Sequence, residues 1–309
     1  MNEFGLIREY FNWPIKDPSV TLGVGDDAAL FSLEQGYQLV TTTDTLTEGV
    51  HFSASTSATD IAHKSLAVNL SDIASMGAKA KYFTLAITLP KTDKSWLQEF
   101  SDSLRQLSGQ YEVSLVGGDT TRGPLNITIT LIGIVESSKA LTRSGARPGD
   151  GVYVSGTIGD AGFCFWKLSN SLIPSNQELK RLNCPTPRVK LGLALKNLAS
   201  ACIDVSDGLE QDLSHILKAS SVGAVIEVEK IPISEALLSH VNDTNNWSIP
   251  LCGGDDYELC FTIPESNQEA LKKVSKSCNV NITRIGVVSE SLGLQIKGFD
   301  GPRKSYQHF

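Results

Sequence analysis

The strongest constraint on the fold comes from β-strands that carry an acidic residue at their ends. In the segment LVTTTDTLTEGVHF, residues 39–52, two apolar residues and the threonines Thr41, Thr42 and Thr43 precede Asp44. Because β-branched residues favour extended backbone, this pattern predicts a strand that delivers the Asp44 carboxylate at its end. An Asp in such a turn is most often a cap or Asx-turn residue, so Asp44 alone does not define a site.

The same arrangement of strand, glycine and acid recurs along the chain. Glycines precede Asp27 in GVGDDAAL, Asp119 in VGGDTTRG and Asp255 in GGDDYEL. Glycine lets the backbone approach a ligand closely. GVGDDAAL partly matches a dinucleotide-binding loop, but its two adjacent carboxylates would repel a pyrophosphate. A metal-binding loop and a tight acidic turn both remain open for this segment.

Further acids lie on or beside two predicted helices. The first helix is predicted from Asp60 to Gly77, and Asp72 lies away from its apolar stripe, where it is either solvated or a ligand. In ACIDVSDGLEQDL, a strand over 201–205 leads into the second helix. Asp204 belongs to that strand, and Asp207 at the corner is either the N-cap of the helix or a ligand.

Acids brought to one edge of a sheet would repel each other. Two carboxylates about 4 Å apart repel by about 4 kcal/mol at an effective dielectric of about 20. A domain's whole stability is only about 5–15 kcal/mol. Divalent cations remove this repulsion, and Asp and Thr oxygens without a His or Cys cluster select Mg²⁺, which prefers to share substrate phosphates. If Asp27, Asp44, Asp72 and Asp119 converge, they predict Mg²⁺ and a polyphosphate ligand.

Composition excludes several classes of protein. The formal net charge of −7 argues against a nucleic-acid surface, and no apolar run approaches the ~18 residues of a membrane span. All six cysteines lie in the second half of the chain without a CxxC pair, which fits reduced thiols in a cytoplasmic protein better than disulfides or zinc. The chain has no P-loop motif and no protein-kinase HRD or DFG motif, so a nucleotide site would be of another type.

The length of 309 residues predicts two domains. The segment SSKALTRSGARPGD, residues 137–150, is polar and contains glycine and proline. It predicts the junction and divides the chain into residues 1–140 and 141–309. Within it, Arg143 is either solvated or a clamp for phosphate oxygens.

Seven motifs in order along the chain resemble those of the thiamine-monophosphate kinases. They are GVGDDAAL, TTTDTLTEGVHF, NLSDIASMGA, VGGDTTRGP, LTRSGARPGD, DVSDGL and GGDDYELCFT. That family belongs to the ATP-binding superfamily of aminoimidazole ribonucleotide synthetase and selenophosphate synthetase. The resemblance implies an α/β protein of the α+β type, in which each of two domains is a mixed β-sheet packed with helices. It also implies a homodimer built around the N-terminal sheets, an ATP/Mg-binding N-terminal domain, and several Mg²⁺ ions that hold ATP.

The resemblance further implies the roles of individual residues. The metal ligands would be Asp27, Thr42, Thr43, Asp44, Asp72, Asp119, Asp204 and Asp207, with Asp72, Asp119 and Asp207 also catalytic. ATP would contact Tyr111, Gly118, Asp119, Arg143 and Ser206. Thiamine monophosphate would contact His51, Asp255 and Tyr306. Asp255 departs from the family, which usually has Glu there; its side chain is one methylene shorter, and the acidic charge is kept.

The expected reaction is direct, in-line phosphoryl transfer from ATP to the phosphate of thiamine monophosphate. Its products are thiamine diphosphate and ADP. This reaction is the last step of thiamine diphosphate biosynthesis. One alternative is another ATP-using synthetase of the superfamily. Selenophosphate synthetase uses a reactive Cys or selenocysteine near its N-terminus, whereas the first cysteine here is Cys164. A second alternative is a metal- or nucleotide-binding module without catalysis.

Overall fold

The computed structural model describes residues 3–22 and 29–303. It divides into two units, one comprising Met1–Ile73 with Ala78–Ser138 and the other Ala74–Gly77 with Lys139–Phe309. In the part of the chain that the structure describes, no helix has both the length and the apolar character needed to cross a membrane.

The first unit contains a four-stranded mixed sheet. Its helices are α1 (Glu3–Leu6), α2 (Ala58–Ser75) and α3 (Lys94–Gln110), and a π-helical turn, Ile7–Phe11, follows α1. Its strands are β1 (Val20–Leu22), β2 (Leu30–Phe31), β3 (Tyr37–Thr47), β4 (Lys79–Leu89), β5 (Ser114–Arg122) and β6 (Asn126–Glu136). The sheet order is β3-β6-β4-β5, with β4 and β5 parallel and the other pairs antiparallel. Strands β1 and β2 form a separate antiparallel pair.

Helix α2 forms where the apolar stripe was predicted. Leu66, Leu70 and Ile73 are all fully buried. The helix approaches β6 closely at Gly133, where a Cβ would lie 3.2 Å from Cγ2 of Ile73. Burial of three large side chains stabilises this contact by about 1.5–3 kcal/mol each, and it sets α2 against one face of the sheet.

Two predicted strand ends are wrong. Strand β3 continues through Asp44 to Thr47, and β5 continues through Asp119 to Arg122. In each case β-branched threonines follow the acid and keep the backbone extended. Both acids therefore lie inside strands, where the pairing register fixes their position along the sheet.

The second unit contains a six-stranded mixed sheet. Its strands are β7 (Gly151–Ser155), β8 (Ala201–Val205), β9 (Gly223–Glu227), β10 (Glu258–Ile263), β11 (Ile282–Ser289) and β12 (Gly293–Lys297), in the order β12-β9-β11-β7-β10-β8. Its helices are α4 (Asp160–Ser169), α5 (Asn176–Asn183), α6 (Val189–Leu195), α7 (Leu209–Ser220), α8 (Glu235–Thr244), α9 (Ser248–Cys252) and α10 (Gln268–Cys278). Every residue of β7, β8 and β10 is buried, so these strands form the centre of the hydrophobic core. Strand β8 contains the first two residues of the DVSDGL segment, Asp204 and Val205, and leads into the rest of it.

Candidate active site

In the first unit, helix α2 brings Asp72 to Asp44. Thr42 and Asp44 are two residues apart on β3 and therefore share the face against which α2 packs. The hydroxyl of Thr42 donates a hydrogen bond to Oδ2 of Asp72. Burial, the neighbouring Asp72 charge and a hydrogen bond with Asp72 together raise the pKa of Asp44 to about 7. Two half-buried carboxyls with a hydroxyl beside them form a set of hard oxygen donors.

Thr43 lies on the opposite face of the sheet. Its hydroxyl forms a hydrogen bond with that of Thr130 on β6 (2.9 Å between the oxygens). Next to this pair, the hydroxyls of Thr45 and Thr128 are 2.8 Å apart. These threonines line an exposed face, so the structure separates the Thr43 side chain from the cluster of Thr42, Asp44 and Asp72.

Asp119 and Gly118 lie on β5, three strands away from Asp44. Asp44 pairs with Ile129, Ile129 pairs with Leu85, and Leu85 pairs with Gly118. Because neighbouring strands are about 4.8 Å apart, this row places β5 roughly 14 Å from Asp44 within one sheet. Among the described residues, His, Cys, Asp and Glu side chains do not form a group of three or more suited to a metal ion.

Gly118 meets a strict steric requirement. Its φ is +153°, and a Cβ on Gly118 would lie 1.9 Å from the carbonyl oxygen of Leu85. Only glycine fits this approach of β5 to β4. Tyr111, which was predicted to contact the nucleotide, is the C-cap of α3 and is half-buried just before β5.

His51 has a defined tautomer. Its Nδ1 accepts a hydrogen bond from the main-chain N–H of Thr47 at 3.0 Å, so the neutral ring carries its proton on Nε2. The carbonyl of His51 accepts a hydrogen bond from Nζ of Lys64 at 3.2 Å. Lys64 is only 1% exposed, and it ties the loop after β3 to helix α2.

In the second unit, three predicted residues cluster at the end of β8. Asp204 lies within the strand and is 5% exposed, and Ser206 and Asp207 follow it. Helix α7 begins at Leu209 with Gly208 as its N-cap, so Asp207 is not the N-cap. Oδ2 of Asp207 instead accepts a hydrogen bond from Nε2 of Gln211 at 3.0 Å.

The GGDDYEL segment packs directly against this cluster. The main-chain N–H of Asp255 donates to the carbonyl of Ser206, and that of Tyr257 donates to the carbonyl of Val205, both at 2.8 Å. The phenol of Tyr257 donates to Oδ1 of Asp255 at 3.0 Å. Asp255 and Tyr257 have φ values of +68° and +53°, so the surrounding contacts hold this loop in a costly backbone conformation.

Arg143, Asp27 and Tyr306 complete the predicted set. The Arg143 side chain is exposed, and its carbonyl accepts a hydrogen bond from Oγ of Ser220 at 3.2 Å. Asp27 and Tyr306 lie outside the described residues. The structure thus joins Thr42, Asp44 and Asp72 in one cluster. It joins Asp204, Ser206, Asp207 and Asp255 in another.

The acids Asp256 and Glu258 belong to the GGDDYEL segment, but sequence reasoning did not predict that their side chains are buried. Asp256 is 1% exposed and accepts a hydrogen bond from the N–H of Gly159 at 2.5 Å. Glu258 is also 1% exposed and accepts one from Nε of Arg188 at 2.6 Å. Burial raises the pKa of Asp256 to about 7. Glu258 is the first residue of the otherwise apolar strand β10, and this position was the available signal. A buried acid needs hydrogen-bonding or charged partners.

Sequence reasoning also missed Asp212, on the first turn of α7. Its Oδ2 accepts hydrogen bonds from the N–H groups of Ser206, Asp207 and Gly208 at 3.0, 3.0 and 3.1 Å. Burial raises the pKa of Asp212 to about 7, with the charge of Asp207 adding to the rise and these N–H groups opposing it. Because the contacts are to main-chain groups, residue spacing alone carries no signal for them.

Comparison with known proteins first defines the class. The family model of the AIR synthase related protein N-terminal domain matches residues 25–135, and that of the C-terminal domain matches residues 147–298. The two mixed sheets and their helices agree with that class. This confirms the predicted α/β fold of two domains.

Full-length relatives then define the family. A thiamine-monophosphate kinase from Salmonella typhimurium is 45% identical over 320 residues, which cover 99% of this chain and 98% of the relative. A crystal structure of thiamine-monophosphate kinase from Stenotrophomonas maltophilia is 41% identical, covers 96% of this chain and 97% of its own, and superposes with a TM-score of 0.90. A structure of AaThiL complexed with AMPPCP and TMP is 29% identical, covers 99% and 96%, and has a TM-score of 0.80. The chain belongs to the thiamine-monophosphate kinase family, as its motifs predicted.

Proposed function

We propose that this enzyme transfers the γ-phosphoryl group of ATP to the phosphate of thiamine monophosphate, giving thiamine diphosphate and ADP. The full-length similarity to named thiamine-monophosphate kinases supports this reaction, as does the related structure that holds AMPPCP and TMP. Within the chain itself, the observation that carries the proposal is the paired Asp44 and Asp72 with Thr42 beside them. Such a pair suits a cation that binds polyphosphate.

The donor set fits Mg²⁺. Asp44 and Asp72 offer carboxylates at short range, and Thr42 adds a hydroxyl. We assign these three residues as ligands, together with Asp27, Thr43, Asp119, Asp204 and Asp207 from the family motifs. Thr43 would have to contribute through its main chain, because its side chain lies on the other face. When bound, Mg²⁺ would neutralise the charge that develops on the phosphoryl oxygens.

The rest of the chemistry is binding and alignment. The acceptor is a phosphate oxygen that is already anionic near pH 7, so the enzyme needs no general base and no phospho-enzyme. Tyr111, Gly118, Arg143 and Ser206 would hold ATP, and His51, Asp255 and Tyr306 would hold thiamine monophosphate. Asp72, Asp119 and Asp207 would be the catalytic carboxylates. Fixing two mutually repelling phosphates in line supplies most of the rate enhancement.

A second copy of the chain would complete the site. Within one sheet, Asp44 on β3 and Asp119 on β5 lie too far apart to bind the same Mg²⁺ ion, because Mg²⁺–oxygen bonds are only about 2.1 Å long. Strands β3 and β5 are the two outer strands of the described sheet. If β5 of a second copy lies beside β3, its Asp119 meets Asp44 of the first copy. This relationship supports the homodimer.

The two units would then divide the work. The N-terminal domain, residues 1–140, would bind ATP and Mg²⁺ and form the dimer. Residues 141–309 would complete the nucleotide and substrate site through Ser206, Asp207 and Asp255. The six cysteines are all free, which supports a cytoplasmic enzyme that acts in the last step of thiamine diphosphate biosynthesis.

An ADP-release assay with a panel of acceptors tests the proposal. We expect ADP release with thiamine monophosphate and far less with thiamine, inorganic phosphate or no acceptor. ADP release that prefers another acceptor would favour a different synthetase of the superfamily. Nucleotide binding without ADP release under any of these conditions would favour a binding module without catalysis.

A further inference from the structure

One carboxylate oxygen holds three consecutive amides of the loop after β8. Oδ2 of Asp212 accepts hydrogen bonds from the N–H groups of Ser206, Asp207 and Gly208, at 3.0, 3.0 and 3.1 Å. The N–H of Asp212 in turn donates to the carbonyl of Gly208 at 3.0 Å. Asp212 is 3% exposed, so water cannot readily replace it as the acceptor for these amides.

The other side of this loop is closed by backbone. Gly208 has a φ of +118°, and a Cβ on it would lie 2.8 Å from the main-chain carbon of Cys252. The loop 206–208 is therefore held between the Asp212 carboxylate and the end of helix α9. Contacts of this kind hold the main chain in place to within about an ångström. Residues of a binding or catalytic site require support of this precision.

The same loop supports the 253–257 loop. The carbonyl of Ser206 accepts the N–H of Asp255, and the preceding carbonyl of Val205 accepts the N–H of Tyr257, both at 2.8 Å. Asp255 and Tyr257 have positive φ values, and such a conformation persists only where the surroundings hold it. A shift of loop 206–208 would therefore also release Asp255.

We propose that Asp212 is a positioning residue for both the nucleotide side and the acceptor side of the site. The proposal rests on the kinase function proposed above. Asp212 acts through the main chain of loop 206–208, which places Ser206 and Asp207 and, through hydrogen bonds to the next loop, Asp255.

Two variants and a matched control test this role. Asp212→Ala removes the acceptor, and Asp212→Asn keeps one acceptor oxygen in a similar volume. Asp150→Ala is the control, because Asp150 is 6% exposed and accepts the N–H of Arg147 at 3.0 Å and Oγ of Ser200 at 2.6 Å. It removes a comparable buried acceptor from the same unit. Each variant is measured as the full-length enzyme.

The first readout is amide hydrogen exchange in the ligand-free enzyme. In Asp212→Ala, exchange should rise at residues 206–208 and at Asp255 and Tyr257, relative to the amides of β10 and β11, which report global stability. Asp150→Ala should leave this ratio unchanged. This measurement does not depend on which reaction the enzyme catalyses, so it tests the loop even if the proposed function fails.

The second readout separates KM from kcat. Loss of the anchoring hydrogen bonds should raise the KM for ATP and the KM for thiamine monophosphate, each roughly tenfold, and Asp212→Asn should recover part of the loss. Partial unfolding alone would lower kcat at unchanged KM. Unchanged exchange at 206–208, or released amides with both KM values at the wild-type level, would overturn the positioning role.

Discussion

Asp72 of helix α2 lies against Asp44 of strand β3, and the two carboxyls share a hydrogen bond. A helix and a strand that are distant in sequence thus meet at two acids, and the Thr42 hydroxyl beside them also donates to Asp72. Like charges at this range oppose folding unless a proton or a cation lies between them. Under the proposed function, a cation required by the reaction would lie between the two carboxylates and remove this repulsion.

Asp72→Asn should reduce kcat by at least about 100-fold, a scale typical of losing one electrostatic contact in a transition state. The unfolding temperature should stay the same or rise, because the substitution removes repulsion with Asp44. The measurements are steady-state kinetics and thermal unfolding. Asp102→Asn is the control, since Asp102 is exposed on α3 and accepts a hydrogen bond from Gln98 at 2.9 Å. Wild-type turnover in Asp72→Asn would remove Asp72 from the mechanism.

Mixing two inactive variants tests the proposed homodimer, in which Asp44 of one copy and Asp119 of the other would share a site. Asp44→Asn and Asp119→Asn should each be inactive alone, and a mixture should recover activity, because each mixed dimer contains one intact pair of Asp44 and Asp119. Random exchange of subunits predicts about a quarter of wild-type activity. A mixture of Asp44→Asn with Asp72→Asn should recover none, since both residues lie on the same copy. Equal recovery in the two mixtures would contradict this arrangement.

Gly118→Ala should destabilise the first unit strongly. The new Cβ would lie 1.9 Å from the Leu85 carbonyl oxygen, so β5 would have to move away from β4. Gly117→Ala is a matched control, because a Cβ there meets only Cγ2 of Thr84, at 3.9 Å. Thermal unfolding should place Gly118→Ala well below Gly117→Ala. Similar unfolding temperatures for the two variants would show that the close approach is not required.

Asp255→Asn should raise the KM for thiamine monophosphate while leaving that for ATP nearly unchanged. Asn tolerates the positive φ of this position and can still accept the hydrogen bond from Tyr257, so the loop should persist. The substitution removes the negative charge that we propose faces the cationic thiazolium ring, and the expected rise in this KM is roughly tenfold or more. The measurement is steady-state kinetics with the concentration of each substrate varied in turn, which gives the two KM values separately. An equal rise in both KM values would indicate general damage instead.

Asp256 should give the stability of the second unit a defined pH dependence. Burial raises its folded-state pKa to about 7 from an ordinary value of 3.8. Between these values the folded state keeps a proton that the unfolded state has lost, so this contribution to stability falls as pH rises from about 4 to about 7. Each pKa unit corresponds to about 1.4 kcal/mol, so the full effect is at most about 4 kcal/mol.

The measurement is the free energy of unfolding of the wild type and of Asp256→Asn from pH 4 to pH 8. Asn does not titrate, so the free energy of unfolding of the variant relative to the wild type should rise with pH across this range. Loss of one acceptor oxygen adds a cost that does not depend on pH. A difference that is flat or falls with pH would contradict the raised pKa of Asp256.

Patterns within one element were readable from the sequence. The apolar stripe of α2 identified Leu66, Leu70 and Ile73, and all three are buried. Period-two alternation along β3 also determines which threonine accompanies Asp44, because Thr42 shares its face and Thr43 does not. The sequence prediction places Asp44 at the end of the strand, and for that reason it does not separate Thr42 from Thr43. The strand in fact continues to Thr47, so the alternation applies to all three residues.

Contacts between elements could not be read in the same way. The separation of Asp44 from Asp119 follows from the strand order β3-β6-β4-β5, which no local pattern encodes. Asp212 was missed because it binds main-chain amides, and its residue type looks the same as that of a solvated helical acid. The family motifs predict which residues touch ligands, whereas the contacts that hold those loops in place, such as those of Asp212, emerged only from the fold.

Direct phosphoryl transfer from ATP to thiamine monophosphate is tested most sharply by the ratio of the products that the purified enzyme forms from these two substrates. Chromatography should show thiamine diphosphate and ADP rising together, one molecule of each, with no inorganic phosphate, because the transfer is direct from one phosphate to the other. Formation of ADP and inorganic phosphate without thiamine diphosphate would contradict transfer to thiamine monophosphate.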